Sequence, residues 1–188
     1  MNEIIEYLNS INEISSESES ALLGICSELE VKKNTDLHPI GHVCRNLYFV
    51  KNGLLRIYYL KDDIDVTESF EFENAIVARA DSLFHAKPSR KAIQAIEDSN
   101  LIAINGVSLF KLYDSHPDIE RLFRRVFELA YVQSVNRIEN IQFHSAKERY
   151  ENLLEKSPKI IMRISLKFIA SYLGITQVTL SRIRADIK

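Results

Sequence analysis

Read by the spacing of its apolar residues, the chain changes period twice. Ile4, Leu8 and Ile11 recur on one helical face within residues 2 to 14, and Ala21, Leu22, Ile25, Cys26 and Leu29 form a second stripe after the Ser15 to Ser20 run. Two small helices are expected there, and that serine run and the later Ser157-Pro158 step are the soft spots of the chain. From Val43 to Ile104 the apolar residues come in short alternating or β-branched runs bounded by turn residues, which predicts a β domain. Leu47-Tyr-Phe-Val50 and Leu54-Leu-Arg-Ile-Tyr-Tyr-Leu60 flank Lys51-Asn52-Gly53, and Asn-Gly predicts a hairpin because both residues tolerate positive φ. Lys61-Asp62-Asp63 turns the chain again into Ile64 to Phe72, and later runs, Ala92 to Ile96 and Leu101 to Ile104, lie either side of Asp98-Ser99-Asn100. Strands so spaced argue for a small sandwich or barrel.

After Gly106 the helical period returns. Ser115-His-Pro-Asp118 reads as a helix start with Ser115 as cap, and nothing interrupts the helix from Pro117 to about Phe143, roughly 40 Å at 1.5 Å per residue. It carries two apolar stripes. Ile119, Leu122, Val126 and Leu129 can face the β domain, while Phe127, Tyr131, Ser134, Ile138 and Ile141 alternate four and three apart like a coiled-coil seam. The second stripe calls for another partner, most simply a two-fold copy of the same helix.

The last stretch, Ser165-Leu-Lys-Phe-Ile-Ala-Ser-Tyr-Leu-Gly-Ile-Thr-Gln-Val-Thr-Leu-Ser-Arg-Ile-Arg184, reads as a helix-turn-helix. Ser165 is an N-cap candidate, Gly174 suits the left-handed end of the first helix, Ile175 plugs the angle and Thr176 caps the second helix. With Leu180, Ile183 and Ile187 inward, Val178, Ser181, Arg182 and Ala185 point away from the core. That face can enter a major groove: Gln177, Val178 and Thr179 lie on its first turn, Arg182 can pair with guanine through two parallel hydrogen bonds, and Arg184 and Lys167 suit phosphates. Upstream, Ser145-Ala-Lys-Glu148 has the form of a capping box, with Tyr150, Leu153 and Leu154 inward.

Charge separates the ends of the chain. Residues 145 to 188 hold nine Lys and Arg against four Asp and Glu, a net of +5, so the remainder is −7 within a total of −2. A basic end on an acidic body fits phosphate binding by that end. At 188 residues the chain can bury a sizeable core. No apolar run reaches the roughly 18 residues that span a bilayer, and Glu3 and Glu6 do not suit a signal peptide, so a cytoplasmic protein with no membrane partner is expected. Cys26 and Cys44 are too few to hold an iron–sulfur cluster and read as reduced structural residues. Of five histidines only His38 and His42 are close in sequence, and Pro39 and Gly41 between them favour a loop over a ligand helix. No nucleotide loop, nucleophile elbow or Cys/His constellation suggests an enzyme.

In this order, a small β domain, a long seam-bearing helix and a C-terminal helix-turn-helix, the chain resembles the Crp/Fnr superfamily of bacterial transcription regulators. The resemblance is carried by Cys44-Arg-Asn-Leu-Tyr-Phe-Val-Lys-Asn-Gly-Leu-Leu-Arg-Ile-Tyr-Tyr59 and by Ile169 to Arg184. It implies a homodimer on a roughly palindromic double-stranded operator, an unidentified small-molecule effector in the β-roll, and RNA polymerase as a further partner. Family members that bind cyclic AMP use a glycine-glutamate pair and an arginine followed by serine or threonine. Here Arg79 and Ala80 fall on the first pair, and the second reads Ser89-Arg90. Cyclic AMP is therefore not expected, although Arg79, Lys87, Ser89, Arg90 and Lys91 remain candidates for another anion. Many relatives carry glutamate where Val178 stands, so a different half-site is implied. Ser157-Pro-Lys-Ile-Ile-Met-Arg-Ile164 stands at the wing, is short for a β-hairpin, and offers Lys159 and Arg163 to phosphates.

The expected fold is α+β: an N-terminal double-stranded β-helix or jelly-roll effector domain over 1–114, a long dimerisation helix over 115–144, and a winged-helix-like helix-turn-helix domain over 145–188. The competing reading is a β-roll dimer that does not bind DNA and serves as a ligand-sensing or protein-interaction module. Arg182 and Arg184 distinguish the two, because pairing with internal acids would take them away from phosphates.

Overall fold

The computed structural model describes residues 1–158 and 160–187. The chain opens with α1 (Asn2–Ile11) and α2 (Ser16–Leu23). The serine run is not a soft spot but the cap and first turns of α2, started by the Ser15 hydroxyl, which accepts from the Ser18 amide at 3.2 Å. The stripe expected to continue to Leu29 stops at Gly24, and residues Cys26–Val31 form strand β1 instead. Its six residues pair antiparallel with a strand much later in the chain, so backbone pairing overrides the local helical spacing.

Seven further strands follow: β2 (Asp36–His38), β3 (Asn46–Asn52), β4 (Leu55–Lys61), β5 (Ile64–Glu71), β6 (Ile76–Val77), β7 (Ala92–Ala95) and β8 (Ser99–Asn105). The short helix α3 (Ala80–His85) interrupts them. They build two four-stranded antiparallel sheets, ordered β1-β8-β3-β6 and β2-β7-β4-β5. Inward side chains of both sheets, among them Val50, Leu55, Ile57, Ile93, Ala95 and Leu101, fill the space between.

The Asn52-Gly53 step does not close a hairpin. β3 and β4 belong to different sheets, and the chain turns a corner between them. Only Gly53 takes the left-handed region, at φ 106°, whereas a two-residue type I′ turn needs both residues there. Asp62 and Asp63 meet that condition, at 51° and 60°, and join β4 to β5 with Lys61 opposite Ile64.

The other face of the first sheet is covered by α1, α2, α4 (Gly106–Leu112) and the start of α5 (Pro117–Phe143), with Leu47, Phe49, Ile102 and Ile104 packed on Ile4, Leu8, Leu22, Leu109, Ile119, Leu122 and Phe123. α5 has the expected 27-residue span, but Ser115 does not cap it. The N-cap is His116, and Asp118 ties the first turn to α2, accepting from the Ser15 amide at 2.9 Å and the Ser18 hydroxyl at 2.6 Å. Desolvation works to raise the Asp118 pKa, yet these bonds outweigh it and hold the carboxyl at about 2. The buried stripe ends at Val126, leaving Leu129 51% exposed.

Among the described residues four helices follow: α6 (Ala146–Lys156), α7 (Ile160–Arg163), α8 (Leu166–Leu173) and α9 (Gln177–Asp186). Ser145 and Glu148 make the full capping box. The wing is replaced by α7, and no strand follows β8 among the described residues. No helix of those residues is long and apolar enough to cross a membrane.

Gly53 gives the corner between the sheets a direct test. A Cβ there would stand 2.2 Å from the Ser99 hydroxyl oxygen and 2.7 Å from the Ser99 Cα, on a backbone already at positive φ. Gly53→Ala should cost roughly 2 to 4 kcal/mol in urea unfolding; an unchanged midpoint would show that the corner adapts.

Candidate nucleic-acid interface

The helix-turn-helix follows from local chemistry. Gly174 ends α8 at φ 68°, its amide bonding back to the last turn, and the Ile175 amide reaches the Ala170 carbonyl at 3.0 Å. The Thr176 hydroxyl accepts from the Thr179 amide at 3.1 Å and starts α9. Ser165 holds the N-cap position of α8, but its side chain makes no capping bond. Leu180 and Ile183 turn inward onto Ile169, Ala170 and Leu173. Ile187, expected with them, is 37% exposed because α9 ends at Asp186.

The opposite face of α9 is open. Gln177, Val178, Ser181 and Arg182 are exposed, Thr179 and Arg184 are half-buried, and Lys167 is exposed on α8. Among the described residues neither Arg182 nor Arg184 joins an ion pair. Lys159 lies outside the described residues.

Arg163 is not available to phosphates. Its guanidinium is gripped by Glu73 at 2.8 and 2.9 Å and by Glu97 at 2.7 and 3.0 Å, and also donates to the Gly53 carbonyl at 3.1 Å. These hydrogen bonds raise the Arg163 pKa and lower that of Glu73. The clamp fastens the end of α7 to the corner between the sheets. No local pattern marks it, because its partners are 66 and 90 residues away in sequence.

Two further contacts hold the helical head, α6 to α9, against the second sheet. Ser171 of α8 accepts from the Thr67 amide at 2.8 Å and donates to the Asp65 carbonyl at 3.2 Å, occupying the free edge of β5 as a neighbouring strand would. Arg56, 2% exposed, lies 3.9 Å from the centre of the Phe168 ring and 4.3 Å from that of Tyr58. Asp65 receives it through two bonds of 2.7 Å, with Gln94 and Thr67 accepting the rest. Arg137 of α5 also donates to the Tyr172 carbonyl and covers the Tyr172 ring at 3.8 Å.

The expected anion-binding residues stand around α3 and ahead of β7. Lys87 and Arg90 are exposed. Ser89 is buried, and its hydroxyl both accepts from the Lys91 amide and donates to the Lys91 carbonyl. Arg79 and Lys91 each pair with Glu68. Nearby, burial pushes the Glu71 carboxyl up to about 7 although the Ser69 hydroxyl donates to it. His38 does not lie in the expected loop: it ends β2, is 4% exposed, and desolvation lowers its pKa. Both cysteines are free thiols, and no group of three or more His, Cys, Asp or Glu among the described residues could hold a metal.

Along α5, Tyr131, Ile138 and Ile141 are 71%, 53% and 50% exposed, Ser134 is exposed and Phe127 is half-buried. Phe127 and Tyr131 also line an aromatic groove of about 660 Å³ with Phe84, Phe110 and Tyr113.

Solved structures share this arrangement. FixK2 from Bradyrhizobium japonicum is 19% identical, with a TM-score of 0.76 over 87% of this chain and 84% of that one. A regulator from Eubacterium rectale described as of the crp/fnr family is 21% identical, with a TM-score of 0.74 over 95% and 85%. The c-di-GMP responsive global regulator CLP from Xanthomonas campestris is 16% identical, with a TM-score of 0.73 over 92% and 91%. The fold is that of Crp/Fnr transcription regulators. No protein-family model and no curated protein sequence matches the chain.

Within this Crp/Fnr-type fold the Arg163 clamp is open to measurement. Because its groups are partly exposed, Arg163→Ala should cost about 1 to 3 kcal/mol and speed proteolytic release of the helical head. Unchanged stability and cleavage would move the fastening to Ser171 and Arg56.

Proposed function

We propose that this protein is a DNA-binding transcription regulator that acts as a homodimer in the cytoplasm. The carrying observation is the open face of α9: Gln177, Val178, Ser181 and Arg182 are exposed on a helix whose opposite side is locked into the head by Leu180 and Ile183. Arg182 is the proposed base reader, Val178 lies against a thymine methyl, Gln177, Thr179 and Ser181 complete the contact face, and Lys167 and Arg184 meet phosphates. The parts are 1–114 as effector-type roll, 115–144 as dimerisation helix and 145–188 as reading head. RNA polymerase is the partner such a regulator meets at a promoter.

The dimer reading rests on the exposed apolar residues of α5 and on the aromatic groove continuous with them. Any effector is not cyclic AMP, because Arg79 and Ala80 replace the glycine-glutamate pair. One observation favours the competing reading of a non-DNA-binding module: Arg163, Ser171 and Arg56 fasten the head to its own roll. Salt dependence separates the two, since DNA binding must weaken with a log–log slope of about 0.9 per neutralised phosphate.

Selection from a random duplex pool with the purified chain should enrich an inverted repeat with half-sites about one helical turn apart; no enrichment and no salt-dependent binding would favour the module. Arg182→Ala should relax specificity at one base pair and cost about 1 to 3 kcal/mol, whereas Lys167→Ala should weaken all sequences alike and flatten the salt slope. An unchanged profile for Arg182→Ala would remove it as base reader. Replacing Ile138 and Ile141 together with glutamate should yield monomers by light scattering, and persistent dimers would relocate the interface.

A further inference from the structure

The bulge in β5 sets one side chain apart. Ile57 faces Ser69 and Tyr58 faces Thr67, so Glu68 has no partner across the ladder. A bulge re-aims its extra side chain. Glu68 reaches Arg79 at 3.6 Å with one carboxylate oxygen and Lys91 directly with the other. Arg79 immediately precedes α3, Lys91 immediately precedes β7, and the Lys91 ammonium also lies 5.8 Å from the centre of the Tyr59 ring. Asp81 adds a second, more exposed carboxylate to Arg79 at 3.3 Å. Cations from two separate segments thus converge on one carboxylate of a third, and the Arg79 side chain is only 11% exposed.

We propose that Glu68 is a built-in anion: its carboxylate fills a cradle formed by Arg79 and Lys91, closing the roll to a free phosphate-type ligand. A tethered carboxylate has a physical advantage over a dissolved anion. Its translational freedom is already lost through the chain, so a phosphate must displace it against a high effective concentration. Removing the Glu68 charge leaves Lys91 without its carboxylate and Arg79 with only the more exposed Asp81, and a phosphate oxyanion is the ligand chemistry that answers both cations across the vacated gap. The inference concerns the roll alone and holds whether or not the head reads DNA.

The experiment compares the full chain with its Glu68→Gln and Glu68→Ala variants, by thermal unfolding in sodium phosphate and in sodium chloride of equal ionic strength. The wild type should melt at the same temperature in both salts. Each variant should gain a saturable, phosphate-specific rise of roughly 3 to 6 °C, and adding Lys91→Gln should remove it. Folding of Glu68→Ala only in phosphate would support the same conclusion. Folded variants without a phosphate-specific rise would overturn it, as would a wild type that rises equally. Failure of both variants to fold even in phosphate would overturn it too, because the anion would then be no substitute for the carboxylate.

Discussion

An arginine withdrawn from water must have its charge and its donors answered by protein, and Arg56 imposes that requirement on the second sheet. It stands on β4, 2% exposed, where strand alternation aims it away from the core between the sheets. Asp65 supplies the countercharge from β5, Thr67 and Gln94 take further donors, and the ring of Phe168 covers it from α8. Without α8 the guanidinium would lose its outer cover. The charge therefore binds two elements of the roll and one element of the head into a single arrangement.

The remaining head contacts are consistent with that arrangement. β5 is an edge strand with unpaired backbone groups, and Ser171 satisfies one amide and one carbonyl of that edge. Arg163 fastens the end of α7 to the corner between the sheets. The head's apolar core is continuous with the roll through Leu54 and Ile96. What stays outside these contacts is the exposed face of α9, so the surface proposed to meet DNA is the one not used in packing. A change in the roll that disturbed Asp65, Glu73 or Glu97 would act on the head through direct contacts, which gives any effector of this fold a short physical route.

Elements whose causes are local were legible in the sequence. The long α5, the Ser145 capping box, the Gly174 end of α8 and the Thr176 cap all rest on residues a few positions apart. Elements whose causes are distant were not. Cys26–Val31 carries a helical stripe, yet six pairings with β8 make it a strand. Asn52-Gly53 has the composition of a hairpin turn, yet β3 and β4 each find partners in different sheets. Arg163 looks like a free cation beside a helix-turn-helix until Glu73 and Glu97 are brought against it.

By itself the sequence determined the long α5, the Gly174 end of α8, the Thr176 cap of α9, and the outward placement of Val178 and Arg182, because backbone geometry converts short spacings into faces. The tertiary structure alone decided which strands share a sheet, where the head sits, and which cations are already answered by carboxylates. Those outcomes depend on groups separated by tens of residues, and no local spacing encodes a contact that exists only after the two sheets and the helices have closed on one another.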